Sequence, residues 1–309
     1  MSSTEQGFLP NFIIAGAPKA GTSSLHTWLS DHPDALGSKP KETYYFVDPG
    51  THMYDPDRHV NNGLDGYRKF FQAAQDANPR VVFEATPAYL YYRLALELLP
   101  DLETRPKFLF VLREPASQIF SLFVYFKNNW SWIPHDLSFS DFITEVRTGK
   151  IDFKGNELAR NALQYAAYVD YLDLWHRRVG PERMLVRLFD DLVADQRGFI
   201  KEVARWLGLD PEFYDTYTFP RSNETYQVKS QRLQSVNVAL RGLIPGGVLY
   251  RNLRSFYRTL NTRKASGPDS AEVTAIAALR EEFRCPNRRL AQAFGLDLGV
   301  WREQDEKRN

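Results

Sequence analysis

The sequence predicts a three-layer α/β/α fold around a central parallel sheet of four to five strands, with a helical C-terminal part. Three observations carry this. Compact apolar runs that read as buried strands recur along the chain, at 12–15 (FIIA), 81–83 (VVF), 107–112 (KFLFVL) and 184–188 (MLVRL). Segments with helical spacing separate them. Strands that alternate with helices build a parallel sheet covered on both faces.

The first run ends in a turn of small residues that carries Gly16, Pro18, Lys19 and Gly21. Thr22, Ser23 and Ser24 follow, then a helical pattern through Leu25, Trp28 and Leu29. Strand, glycine turn and helix start together grip phosphate, because unpaired backbone N–H groups and the helix dipole converge on the anion. The G-x-x-x-x-G spacing of Gly16 and Gly21 gives a P-loop NTPase-like reading. It departs from a Walker A motif at one point: Thr22 stands where the lysine of GK[ST] belongs, and the lysine lies inside the loop at Lys19.

After a break at His32-Pro33-Asp34, residues 35–37 form a short second strand. Residues 39–46 (KPKETYYF) run from charge into three consecutive aromatics, and 48–63 are rich in Asp, Pro, Gly, His and Asn, a long surface loop. A short helix is expected at 64–71. The strand at 81–83 ends at Glu84-Ala85-Thr86-Pro87, and 88–99 has helical spacing. The strand at 107–112 ends at Arg113-Glu114-Pro115, where proline suits the first turn of a helix that runs to about 127. Residues 128–135 read as a loop with two exposed tryptophans, Trp130 and Trp132. Helices are expected at 138–147 and 156–179, the second burying Tyr165, Tyr168, Leu172 and Trp175. A helix from Asp190 to near Gly208 follows the last strand. Beyond Pro220 the pattern is helical at 229–241, 251–260, 270–283 and 286–294. No repeat, low-complexity tract or linker divides the chain, so 1–309 is expected to be a single domain.

Composition narrows the function. The chain is 43% hydrophobic and carries 39 Lys+Arg against 38 Asp+Glu, a net charge of +1, so no global field favours nucleic acid. The single cysteine, Cys285, excludes an internal disulfide framework. The start lacks the basic and apolar regions of a signal peptide, and no apolar run approaches the ~20 residues that span a bilayer. A soluble, cytoplasmic protein is expected. His52, His59 and His135 lack ligand spacing, so no metal is expected, and His26 reads as a packed residue. Residues 241–264 hold six basic residues and no acid. They read as a solvated helix face, or more sharply as a rim for the nucleotide, an anionic acceptor or peripheral contact with a membrane.

Three strand ends deliver polar residues: 19–24, Glu84 and Arg113. Ligands bind beyond the carboxyl ends of strands in open parallel sheets, so these residues should share one cleft. Physics alone reaches group transfer from a nucleotide.

The motifs then become specific. PKAGTSSL after a strand resembles the 5′-phosphosulfate loop of sulfotransferases, and Arg113-Glu114-Pro115 with Ser121 resembles their 3′-phosphate signature. KETYYF, FEATPAYL and the tail FRCPNRRLAQAFGLDLGVW resemble segments of bacterial and heparan-sulfate-type members. The resemblance implies 3′-phosphoadenosine 5′-phosphosulfate (PAPS) as donor, its desulfated form (PAP) as product, no metal, and transfer to an acceptor hydroxyl, less readily an amine. It implies Lys19 as electrophilic stabiliser, with Ala20, Gly21, Thr22, Ser23 and Ser24 on the phosphosulfate. Arg113 and Ser121 then hold the 3′-phosphate. Lys229, Ser230, Gln231 and Arg232 close over the nucleotide, and Tyr226 packs on the adenine. Glu42 is the first candidate for general base and Glu84 the second. Ala85 stands where glycan-modifying members carry a lysine, a departure from a heparan-like acceptor. Two alternatives remain at this stage: a P-loop kinase-like phosphotransferase and a non-catalytic nucleotide-binding protein.

Overall fold

The alternation of apolar residues sends each strand's side chains into two cores. In the strand Phe12–Gly16 (β1), Ile13 and Ala15 face one core, Phe12 and Ile14 the other. The helix Thr22–Ser30 (α1) returns the chain to Ala35–Gly37 (β2), followed by Val81–Glu84 (β3), Lys107–Leu112 (β4) and Met184–Leu188 (β5). All five pair in parallel in the order β2-β3-β1-β4-β5. The chain fills one side of β1 and then crosses to the other, so the sheet's switch point opens at the carboxyl ends of β1 and β4. This computed structural model describes residues 7–73, 77–220, 226–228, 262–264 and 268–301.

Against one face pack Pro115–Tyr125 (α2) and Tyr168–Val179 (α3), and Ser270–Phe294, further along the chain, packs on these two helices. Against the other pack α1 and Gln196–Leu207 (α4). The long helix Ser270–Phe294 (α5) begins at a capping box of Asp269 and Glu272. Trp301, just beyond it, donates its indole N–H to Asp190 Oδ2 at 2.9 Å.

The expected sheet is present, and the helices differ from expectation where tertiary bonds decide. The helix expected at 156–179 is broken into Glu157–Arg160, Ala162–Tyr165 and α3. Asn156 caps the first piece, and the buried Glu157 is held by the backbone N–H and ring of His52 at 2.9 and 2.7 Å and by the hydroxyl of Tyr92. The helices expected at 270–283 and 286–294 are one, with Pro286 inside. Proline removes a single ladder bond there, whereas Ile276, Leu279, Phe283 and Leu290 keep a continuous buried stripe. Trp130 and Trp132 are half-buried and stacked on each other, 4.9 Å apart and 7° from parallel, rather than exposed. Residues 88–99 divide into a 3₁₀ turn Pro87–Tyr91 and a helix Arg93–Leu98. The helices expected at 229–241 and 251–260, and with them nearly all of the basic segment 241–264, lie outside the described residues. The backbone at Tyr226–Val228 and Thr262–Lys264 forms an antiparallel ribbon. No helix among the described residues is long and apolar enough to cross a membrane.

Trp175 ties helix α3 to the sheet: it packs on Phe108 and Phe110 and donates its indole N–H to Leu90 O at 3.1 Å. Trp175→Ala should therefore cost about 3–5 kcal/mol of stability, read as a lowered denaturant midpoint.

Candidate active site

The turn after β1 is shaped for an anion. Gly21 takes a left-handed conformation (φ 80°) at the N-terminus of α1, and no side chain caps that helix. Ser24 N–H closes back on Gly21 O at 3.0 Å, and the N–H groups of Thr22 and Ser23 stand at the uncapped helix start for an anion. A Cβ on Gly21 would meet the Phe189 ring at 3.1 Å, so the position requires glycine. Ala17 N–H bonds to Val111 O at 2.8 Å and the Gln118 amide to Pro18 O at 3.2 Å, which ties the turn to β4 and α2.

Lys19 also has a positive φ, 67°, and its ammonium lies 4.0 Å from the centre of the Tyr125 ring. Burial, reinforced by the nearby charges of Arg113 and Lys41, pulls its pKa down to about 8, with Glu42 acting in the opposite sense. Arg113, at the end of β4, reaches the Lys19 carbonyl through Nη1 at 3.3 Å and lies over the Phe189 ring. Burial lowers its pKa as well. Ser121 is on α2, one turn beyond Ser117. Lys19, Arg113 and Lys41 thus converge on one opening.

Glu42 joins them through Lys41. Lys41 Nζ donates to Glu42 Oε1 at 2.6 Å and to Thr22 Oγ1 of the loop at 3.4 Å. The Tyr44 hydroxyl donates to the other carboxylate oxygen, Oε2. Tyr44 has φ 52°, uncommon for an aromatic residue, and this turn folds its ring back beside Glu42. Burial first, and Glu42 second, push its phenol pKa far up, so the hydroxyl remains a donor.

Glu84 is placed differently. It is fully buried, and its carboxylate accepts from Thr43 Oγ1 at 2.8 Å, Thr86 Oγ1 at 2.5 Å, the Thr43 N–H at 3.4 Å and the Tyr67 hydroxyl. Burial raises its pKa, and the hydroxyl bonds partly offset this. Thr43, the residue between Glu42 and Tyr44, is fixed further by Thr86 Oγ1 at 3.1 Å and Tyr89 OH at 3.1 Å.

Of the three strand ends named from the sequence, two meet, through Lys19 with residues 20–24 and Arg113, whereas Glu84 at the third is fully buried and departs from the expected shared cleft. His26 is packed, its ring 5.1 Å from that of Phe83. Lys229, Ser230, Gln231 and Arg232, and the side chain of Tyr226, lie outside the described residues. Sequence reasoning missed Lys41 and Tyr44 as partners of Glu42, although both stand in the quoted KETYYF stretch. It also missed Glu114, which caps α2 through Ala116 N–H at 2.9 Å and Ser117 N–H at 2.9 Å and pairs with Arg280 of α5 at 3.3 Å. Its signal was present, an acid before Pro115 at a helix start. Among the described residues no group of three His, Cys, Asp or Glu is arranged to hold a metal.

Residues 9–237 match the family model described as the sulfotransferase domain, and the chain belongs to that family. The heparan sulfate glucosamine 3-O-sulfotransferase 3A1 of Mus musculus is 29% identical over 266 residues, 82% of this chain and 62% of that protein. The corresponding 3B1 protein of Homo sapiens is 26% identical over 265 residues, again 82% and 62%. The chain thus spans about three fifths of the length of these relatives. A crystal structure of a sulfotransferase from Alicyclobacillus acidocaldarius superposes with a TM-score of 0.61 at 22% identity, covering 96% of this chain and 99% of that one, which shows a shared fold.

Because Glu84 satisfies several buried donors at once, Glu84→Ala should lower stability on the order of 3 kcal/mol, and Glu84→Gln by less. Chemical denaturation of the two variants measures the difference.

Proposed function

We propose that this protein is a sulfotransferase that carries a sulfuryl group from PAPS to an acceptor hydroxyl, using the turn after β1 as a P-loop NTPase-like phosphosulfate loop. The observation that carries this is the set of three cations, Lys19, Arg113 and Lys41, drawn together beside uncapped helix N–H groups, with Lys19 depressed to about pKa 8. Such an arrangement is costly until an anion arrives. Lys19 inside the turn, rather than after Gly21, suits a donor that has no triphosphate. The residues present therefore fit PAPS.

When bound, the donor supplies a sulfuryl group whose bond to the 5′-phosphate breaks as the acceptor oxygen bonds to sulfur. Lys19 stabilises the negative charge left on the departing phosphate. The N–H groups of 20–23 and the hydroxyls of Thr22, Ser23 and Ser24 hold the 5′ end. Arg113, with Ser121, holds the 3′-phosphate through its planar guanidinium. Glu42 accepts the proton that the acceptor hydroxyl loses. Glu84 is better read as the anchor of the Glu42 loop than as a second base: its oxygens are already taken by buried hydroxyls, whereas Glu42 stands at the mouth beside the cations.

Labelled PAPS offered with a panel of hydroxyl-bearing carbohydrates, lipids and natural products should give a labelled product without added Mg²⁺. Transfer that requires Mg²⁺ and a nucleoside triphosphate would replace this reading with a kinase. Lys19→Ala should cut turnover roughly a hundredfold to a thousandfold, and Glu42→Gln on the order of a hundredfold or more. Arg113→Ala should weaken PAP binding by about 2–5 kcal/mol.

The pH dependence has a definite sign. A bound anion favours protonated Lys19, which the free protein loses as pH rises through about 8. PAP affinity should hold below that pH and fall above it, by up to about tenfold per pH unit. Lys19→Arg should extend the plateau upward, since arginine keeps its charge. Calorimetric titration of PAP across pH 6–10 reads both.

A further inference from the structure

Lys41 touches both the anion loop and the Glu42 carboxylate. It donates 2.6 Å to Glu42 Oε1 and 3.4 Å to Thr22 Oγ1, and its side chain is about one-fifth exposed at the mouth of the cleft. In this state Glu42 has both oxygens engaged, Oε1 by Lys41 and Oε2 by Tyr44. An ammonium on one oxygen and a phenol on the other compete with any third donor for the carboxylate's remaining lone pairs. The two clamps are unequal in origin. Tyr44 is held by a turned backbone and is half-buried against the core, independently of any ligand. Lys41 is at the end of a flexible stem, with three N–H donors to distribute among whatever acceptors face it.

Resting on the sulfotransferase reading above, we propose that Lys41 is a donor-sensing residue. Its ammonium masks Glu42 until the donor's sulfuryl group occupies the space between loop and base, then turns to that group and leaves Glu42 Oε1 open to the acceptor hydroxyl. The competition is electrostatic: the arriving anion lies next to the Thr22 hydroxyl that Lys41 already reaches, and it carries more charge than one carboxylate. Tyr44 keeps the plane of Glu42 fixed while Lys41 moves. Masking the base in the empty protein makes the donor the first partner to bind productively.

The test reads binding. The wild type, Lys41→Met, Glu42→Gln and the double variant are titrated calorimetrically with PAPS and with PAP, which lacks the sulfuryl group. Lys41→Met should weaken PAPS by about tenfold while leaving PAP within about twofold, a loss of ~1.4 kcal/mol confined to the sulfuryl group. Glu42→Gln should tighten PAPS when Lys41 is present, because the competitor for the ammonium is gone, and do so less in the Lys41→Met background. If Lys41→Met weakens both ligands alike, or neither, Lys41 supplies only a general field or nothing, and the inference falls. Equal effects of Glu42→Gln in both backgrounds would overturn it as well. Retained PAP binding certifies the fold of each variant, and Lys41→Gln repeats the measurement with a polar side chain. A wild type that binds neither ligand would instead reject the donor reading itself.

Discussion

Cationic crowding around the turn after β1 is the constraint on which the rest of the structure depends. Lys19, Arg113 and Lys41 are brought into one opening from three separate parts of the chain. Each would be better solvated apart. The fold brings them together because β1 and β4 are neighbours in the sheet and the switch point faces them outward. The Arg113 bond to the Lys19 carbonyl and the Tyr125 ring beneath the Lys19 ammonium hold the arrangement without neutralising it. A stable interior would place a carboxylate among such charges. Glu42 is the carboxylate that does so, and it is paired to Lys41 at 2.6 Å.

Positioning of Glu42 is the second consequence. The loop that carries it has no regular structure of its own, so its rigidity comes from below. Thr43 is fully buried and is bonded through both its N–H and its hydroxyl to Glu84, Thr86 and Tyr89. Tyr45 and Phe46 add N–H bonds to the same Tyr89 hydroxyl at 3.0 and 3.3 Å. The Glu84 network thus sets where Glu42 and Tyr44 emerge on either side of Thr43. One acid is sealed and structural, the other open and paired at the mouth. The sequence ranked Glu42 before Glu84 as the base, and on the proposed reading these environments favour the same order.

Much of this was legible in the sequence, and the remainder has a physical reason. The strands were readable because buried parallel strands are short apolar runs, and their polar ends marked the cleft. Lys19, Gly21 and Arg113 stood out because a turn between strand and helix has few ways to be built. The interruption of 156–179 was not readable, since it depends on Glu157 meeting His52 and Tyr92, both more than 60 residues distant in the chain. The continuity of α5 across Pro286 was hidden for the opposite reason: local punctuation predicted a break that packing overrides. Lys41 and Tyr44 were visible as residues, yet their joint hold on Glu42 follows from the positive φ at Tyr44, which composition does not announce.

The position of the lysine in the loop links fold to chemistry. A lysine after Gly21 would belong to α1 and extend along a bound polyphosphate toward its outer groups. Lys19 precedes the helix, and its left-handed backbone turns it instead toward Tyr125 and Arg113, on the side where Lys41 and Glu42 lie. Charge stabilisation is thereby placed between the helix N-terminus, which suits a phosphate, and the carboxylate, which suits a proton. On the proposed reading, the bond that breaks lies in that interval. Moving the same ammonium three residues along the chain would leave the anion site intact and take the electrophile away from the base. On that same reading, the order of residues within this one turn selects the reaction, while the sheet merely presents it.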